Sequence, residues 1–374
     1  MPVAALDPSP RSRLRPPLAR FARPGAIGLD FGTERVNLVQ FSRGPVPMVR
    51  AAASVAYAGD RDSALDDSRE LARLLEPVLR RHGFSGRRVV VALPPGRVTL
   101  RFVPYKRTPG QDDATAIVAA LAEQRAGLGD AVLDYLPIRP KSEEQAERAA
   151  LVAHAPRAAV AALLDVLDRA RLDVRALEVG PVAIKRLIGA VHDHAAGSKI
   201  MCINFGTRAS FVTALWDREL LLDRSVDFGR EHVLGVLQEA LEVSESEAVR
   251  LLERYGIGVA PGTGGAGAEF AHALRDILMP VFLGLAEQIK KVLVYTAAET
   301  RGGAIDRVYL LGSIARWPGV DRLLQGMVAV PVETINPFYG FRSVAGGPVD
   351  AQFEPLPGIA VAAGLALRGM SDDE

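Results

Sequence analysis

Two short segments of this chain carry residues suited to holding an anion. Leu29-Asp30-Phe31-Gly32-Thr33 recurs, 174 positions later, as Ile203-Asn204-Phe205-Gly206-Thr207, and each copy follows an apolar run. A glycine in a tight turn lets backbone N–H groups converge on an anion, so Gly32 with Thr33 and Gly206 with Thr207 are candidate phosphate holders. Asp30 cannot bind phosphate itself, but a carboxylate there orders the water shell of Mg²⁺. One such turn alone is an ordinary glycine-containing β-turn. Two in the same context, followed by Gly312-Ser313 after a late apolar strand, describe a clamp that grips a nucleotide's β- and γ-phosphates from both sides.

The elements that must position these turns repeat as well. Ala26–Phe41 alternates around Gly32 and predicts a β-hairpin, and the second copy has the same context, so a duplicated two-lobed α/β architecture is expected. Between the copies, Arg88–Leu93 and Val98–Pro104 predict strands around Pro94-Pro95-Gly96. Asp112 or Asp113 can cap a helix with Ile117, Leu121 and Leu128 on its apolar face. Val132–Ile138 and Ala149–His154 predict a strand pair, and Arg157–Leu172 a helix. The expected domains are a basic tail over 1–25, a first lobe over 26–85 and 173–200, and an inserted α+β subdomain over 86–172. A second lobe over 201–342 and a closing segment over 343–374, ending in a small-residue helix, complete them. In the second lobe a helix is expected from about Gly229, and Ser244 with Glu247 predicts a capping box. A glycine-rich loop covers 256–268, and a long helix covers 269–299, kinked or split at Pro280.

Composition narrows the function. Hydrophobic residues make up 49% and charged residues 24%, enough for sizeable cores. With 45 basic against 44 acidic residues, a nucleic-acid surface spread over the molecule is not expected. The tail is different: Arg11, Arg13, Arg15, Arg20 and Arg23 face Asp7 alone, which suits a solvated extension or contact with anionic lipid headgroups. A single cysteine, Cys202, excludes a disulfide framework and reads as an inert core thiol. His192 and His194 flank Asp193 without a third ligand nearby in sequence, which suits a solvated loop. Trp216 and Trp317 have no evident platform partners. Charge-free stretches are too short to span a bilayer, so a soluble, cytoplasmic protein is expected.

The segments Ala26–Thr33, Val91–Pro94, Leu133–Tyr135, Ile305–Ser313, Pro331–Phe338 and Leu365–Arg368 together resemble PilM, the actin-like family of type IV pilus assembly; MshI-type proteins of related pili look similar. The resemblance runs from about Ala26 to Arg368. It implies a duplicated actin-like (ribonuclease H-like) fold with an inserted subdomain, ATP with Mg²⁺ as ligand, and a place at the inner face of the inner membrane. It also implies a PilN-like single-span partner whose short cytoplasmic N-terminus binds beside the insert, along with other pilus assembly components. The family usually has lysine where this chain has Asn37, aspartate where it has Asn204, and Gly-Gly where it has Gly312-Ser313. Lys290, with Lys291, matches a basic pair that in the family borders the nucleoside, and Glu178 lies near the position of the water-positioning acid of bacterial actins. Losing charge at Asn37 and Asn204 should impair hydrolysis more than binding. A scaffold with a degenerate nucleotide cleft is therefore expected. The alternatives are an active ATPase or a small-molecule kinase of this fold, and no positioned aspartate base at a glycine-rich substrate loop supports the kinase.

Overall fold

The computed structural model describes residues 23–370, apart from 45, 109, 124–128, 139–146, 193–194, 258–265, 301 and 345–356. Tail residues 1–22, Leu128, Asp193, His194 and most of the glycine-rich loop therefore lie outside the described residues.

The chain opens with an antiparallel meander, β1 (Pro24–Phe31), β2 (Arg35–Ser42) and β3 (Met48–Ala56). Helices α1 (Arg61–Asp66) and α2 (Ser68–Arg81) follow, capped by the side chains of Asp60 and Asp67. Strand β4 (Arg88–Ala92) returns parallel to β1. The chain then leaves this sheet for a small one. It is built from β5 (Thr99–Lys106), β6 (Ala131–Pro137) and β7 (Glu147–Pro156), in the order β5-β7-β6, and is covered by α3 (Asp113–Glu123). Helix α4 (Arg157–Arg169) leads back to β8 (Asp173–Glu178), parallel to β4, and then to α5 (Gly180–Val191).

The second half repeats the plan. An antiparallel meander of β9 (Lys199–Phe205), β10 (Ser210–Trp216) and β11 (Glu219–Val226) precedes α6 (Arg230–Leu241), α7 (Glu245–Tyr255) and α8 (Ala266–Glu299). Strand β12 (Arg307–Gly312) then lies parallel to β9. After a 3-10 turn, Ile314–Arg316, and α9 (Val320–Gln325), β13 (Val332–Thr334) lies parallel to β12. The core order of the first sheet, β3-β2-β1-β4-β8, matches β11-β10-β9-β12-β13 of the second strand for strand. The chain finally returns to the first sheet through β14 (Arg342–Ser343), beside β3, and ends the described fold in α10 (Ala360–Arg368).

Side-chain alternation divides each opening strand between two cores. Ile27, Leu29 and Phe31 face outward onto Leu71 and Leu75 of α2 and Leu163 and Leu167 of α4. Met201, Ile203 and Phe205 do the same against α6, α7 and α8. The opposite faces, through Ala26, Val39, Ile200 and Cys202, join with α5 and α10 in one core between the lobes. Asp30 and Asn204 continue those inward faces by period two, so both lobes aim the same turn position at the space between them.

Several expectations change. Strand β4 pairs inside the first sheet rather than with β5, and α4 packs in the first lobe's outer core. The separate piece is therefore the small sheet with α3, residues 99–156, rather than 86–172. The reason is burial: Val89, Val91, Leu163 and Leu167 complete an apolar face that β1 and α2 cannot cover alone. The closing segment likewise packs on the first lobe. Helix α8 begins three residues earlier than expected and stays helical through Pro280. Ser244 does form the reciprocal capping box with Glu247. Among the described residues no helix is long and apolar enough to cross a membrane.

Helix α10 approaches its neighbours backbone to backbone. A Cβ on Gly364 would lie 2.0 Å from the Ala183 carbonyl oxygen of α5, and one on Gly28 would lie 2.0 Å from the Ala362 carbonyl of α10. Both distances are far inside contact. Gly364→Val is therefore expected to destabilise the fold by about 3 kcal/mol or more, read as a large drop in thermal midpoint by circular dichroism. An unchanged midpoint would show that α10 can move away without loss.

Candidate functional site

The inward faces of the two lobes enclose a cleft of about 790 Å³, lined by both turns and by Gly312 and Ser313. Asp30, Thr33, Asn37, Asn204 and Thr207 all border it. The turns need their glycines: a Cβ on Gly32 would meet the Arg35 carbonyl at 2.9 Å, and one on Gly206 the Ala209 carbonyl at 2.3 Å. Gly312, at φ +83°, passes so close to β9 that a Cβ would lie 2.3 Å from the Phe205 carbonyl and 2.7 Å from Asn204 Oδ1. The Ser313 amide donates to that Phe205 carbonyl at 3.0 Å, fastening the late loop onto the second turn.

Asn37 is a built part of this wall. Its Nδ2 donates to Asp30 Oδ2 at 3.0 Å, and Ser54 Oγ donates to its Oδ1 at 2.7 Å. The amide thus orients Asp30 without bringing a charge. Burial pushes the Asp30 carboxyl up to about 6, against the opposing pull of the Asn37 hydrogen bond and the Arg61 charge.

The lobes also meet through ions at the mouth of the cleft. Arg230, in the first turn of α6, donates its amide to the Gly206 carbonyl at 3.0 Å. Its guanidinium reaches Glu34 of the first turn at 2.6 Å and Glu245 at 3.0 Å. Arg316 lies 3.6 Å from the same Glu34. These residues are far apart in sequence, and no local pattern singles them out. Asp223 of β11 is a further site carboxylate, signalled in the sequence only by its place directly after the apolar run Leu220-Leu221-Leu222. It borders the cleft, accepts from Thr213 Oγ1 at 2.6 Å, and is pushed up to about 7 by burial.

Two expected site residues sit elsewhere. Lys290 does not border the cleft: it lies with Lys291 on the exposed side of α8, whose other side buries Ile289 and Val292. Glu178 does not border it either. Its buried carboxylate is held by Arg186 at 2.9 Å and Arg368 at 3.2 Å, and Arg186 also donates to the Gly364 carbonyl. That makes it a tie between β8, α5 and α10 rather than a group free to activate water. His192 Nδ1 lies 2.9 Å from the Tyr309 hydroxyl, and no metal-binding cluster of three ligands occurs among the described residues. Cys202 is fully buried, which raises its thiol pKa and leaves it inert.

The donor set suits a Mg²⁺-nucleotide. Glycine cradles stand on both sides, and Asp30, and beyond it Asp223, could order a cation's water shell. Without a cation, the carboxyl of Asp223 costs stability. Its folded pKa lies above the unfolded value, so the native state keeps a proton that the unfolded chain releases. Stability therefore falls as pH rises from about 4 to about 7, and the full cost is present above that. Asp223→Asn keeps the acceptor for Thr213 and should stabilise the apoprotein at pH 8 by up to about 4 kcal/mol, with the gain vanishing near pH 4. Denaturant titrations at the two pH values check this; an equal effect at both would exclude the ionisation.

Known proteins share this architecture. A solved structure described as a PilM–PilN type IV pilus biogenesis complex superposes with a TM-score of 0.71 at 24% identity, covering 93% of this chain and 99% of that one. The ethanolamine utilization protein EutJ from Carboxydothermus hydrogenoformans follows at TM-score 0.52 and 15% identity, covering 92% of this chain and 89% of its own. MreB5 of Spiroplasma citri bound to AMPPNP gives TM-score 0.50 at 11% identity, covering 92% and 95%. These likenesses establish the actin-like fold. The model of the type IV pilus assembly protein PilM matches residues 28–370, which takes in both lobes and the small sheet between them. The chain belongs to the PilM family of type IV pilus assembly proteins.

Proposed function

We propose that this protein is an actin-like scaffold that holds the short cytoplasmic N-terminus of a PilN-like inner-membrane protein, at the inner face of that membrane and beside other pilus assembly components. The observation that carries the reading is the match, over 93% of the chain, to a chain of a PilM–PilN complex, together with the PilM family model over residues 28–370, small sheet included. The small sheet offers suitable chemistry. Leu100, Leu136 and Leu151 of its inward face pack on the core between the lobes. On that same face, by register, Phe102 and Val132 stay more than a third exposed. Strands β5 and β6 are edges, so a peptide can find backbone partners as well as apolar anchors. The arginine-rich tail adds attraction to anionic headgroups.

The cleft takes Mg²⁺-ATP weakly and turns it over at background. Phosphoryl transfer depends on positioning and charge, and the neutral Asn37 and Asn204 supply no charge to the two turns. Support comes from Glu178, which is committed to two arginines outside the cleft.

Two measurements test these readings. Phe102→Asp in the full chain should weaken capture of a PilN N-terminal peptide by about tenfold, consistent with losing one buried aromatic anchor, with the thermal midpoint kept. Removing 86–172 would be a poorer test, because it takes β4 and α4 out of the first lobe. Undiminished capture by the folded variant would move the peptide elsewhere. Separately, phosphate release from ATP by the unmodified protein should match the protein-free rate; sustained turnover would return the cleft to the active ATPases.

A further inference from the structure

Positive charge at the cleft wall comes from residues outside any phosphate motif. Arg35 of β2, Arg61 at the start of α1 and Arg316 of the second lobe's 3-10 turn all border the cavity. Arg35 stands two residues before Asn37, so both project from the same face of β2. Its guanidinium is held rigidly: Nε donates to Ser54 Oγ at 2.8 Å and a terminal nitrogen to the Ser54 carbonyl at 2.7 Å. Arg61 has a side chain only 15% exposed, with Nε on the carboxylate of its neighbour Asp62 at 3.1 Å.

Arg316 approaches from the opposite lobe. Its side chain is also 15% exposed, and its Nε is buried with no hydrogen-bond partner among the described residues. Burial, together with the charge of Arg316, lowers the pKa of Arg35, while Glu34 and Glu253 pull the other way. Two like charges thus meet across the cleft in a poorly solvated place. The carboxylate between the lobes there, Glu34, lies closer to Arg230 than to Arg316. An anion with several oxygens would relieve this repulsion, because arginine presents its N–H groups in a fork matched to phosphate.

We infer that Arg35, Arg61 and Arg316 form the polyphosphate-binding wall of the cleft, supplying from β2, α1 and the second lobe's 3-10 turn the positive charge that Asn37 does not. The ligand class is the phosphate chain of a nucleoside di- or triphosphate, and Arg35 and Arg316 would grip it from the two lobes. This rests on the nucleotide reading of the cleft given above. It departs from that reading in assigning the cations, and it limits what a lysine at position 37 could add.

Calorimetric titrations with Mg²⁺-ATP, adenosine and tripolyphosphate separate the possibilities. The full-length protein and its Arg61→Gln and Arg316→Gln variants are compared, with Arg61→Lys and Arg316→Lys as folding-neutral companions and thermal midpoints recorded for all. Each glutamine variant should weaken ATP at least tenfold, flatten the salt dependence of its affinity and leave adenosine unaffected; lysine should restore part of the loss. ATP bound equally well by the folded glutamine variants would overturn the inference while leaving the nucleotide reading in place. Tripolyphosphate bound as tightly as ATP, with the same loss in the variants, would keep the wall and assign it to a free polyphosphate instead. No binding of ATP or tripolyphosphate by the unmodified protein would remove both the nucleotide reading and the wall.

Discussion

Everything at the cleft depends on how closely α10 can approach β1 and α5. The helix is made of small residues, and Gly28 and Gly364 bring its backbone into contact with both neighbours. With α5 it forms the apolar layer between the two sheets, where Ala183, Ile184 and Leu187 meet Ala362, Ala363 and Leu365 beside Ile200 and Cys202. Close packing of this kind is intolerant of added volume. It sets the distance between the lobes, and with it the width of the space facing Asp30 and Asn204. The buried Glu178 of β8, shared by Arg186 and Arg368, ties β8 to α5 and α10 by charge.

A second consequence is electrostatic. The two turns are joined at the cleft mouth by Glu34 and Arg230, and Arg230 is itself fixed to the second turn through its amide. Because those guanidinium and carboxylate groups are mostly shielded from water, removing either partner would leave a costly buried charge. The lobes are thus held by apolar packing at the hinge side and by ions at the mouth. A nucleotide would have to be accommodated within that frame. Asp30 and Asp223 share it too, and the burial that raises both carboxyls would be offset by a cation's charge.

The small sheet plays a different part. Its inward face leans on the core between the lobes through Leu100, Leu136 and Leu151, while its own core with α3 holds Val103, Ile117, Leu121 and Val152. A strand sheet with two free edges is a natural receptor for an extended segment. Leu100 also borders the cleft, so the face proposed for a peptide and the cleft proposed for a nucleotide share a wall.

The sequence by itself determined the local plan: two hairpins with a glycine turn, the period-two alternation that sends Asp30 and Asn204 inward, the Ser244 capping box and the small-residue terminal helix. These are legible because they follow from backbone sterics, strand geometry and capping chemistry within a few residues. The family, too, was legible from short motifs in their right order. Only the tertiary structure decided which sheet β4 joins and which core α4 fills, since apolar strands and helices carry no label for their partners. It alone moved Glu178 and Lys290 away from the cleft. It alone brought Glu34 to Arg230, and Arg35 to Arg316, across 196 and 281 positions of the chain. Long-range charge pairing has no period in sequence; it exists only once packed helices and sheets have fixed where each side chain can reach.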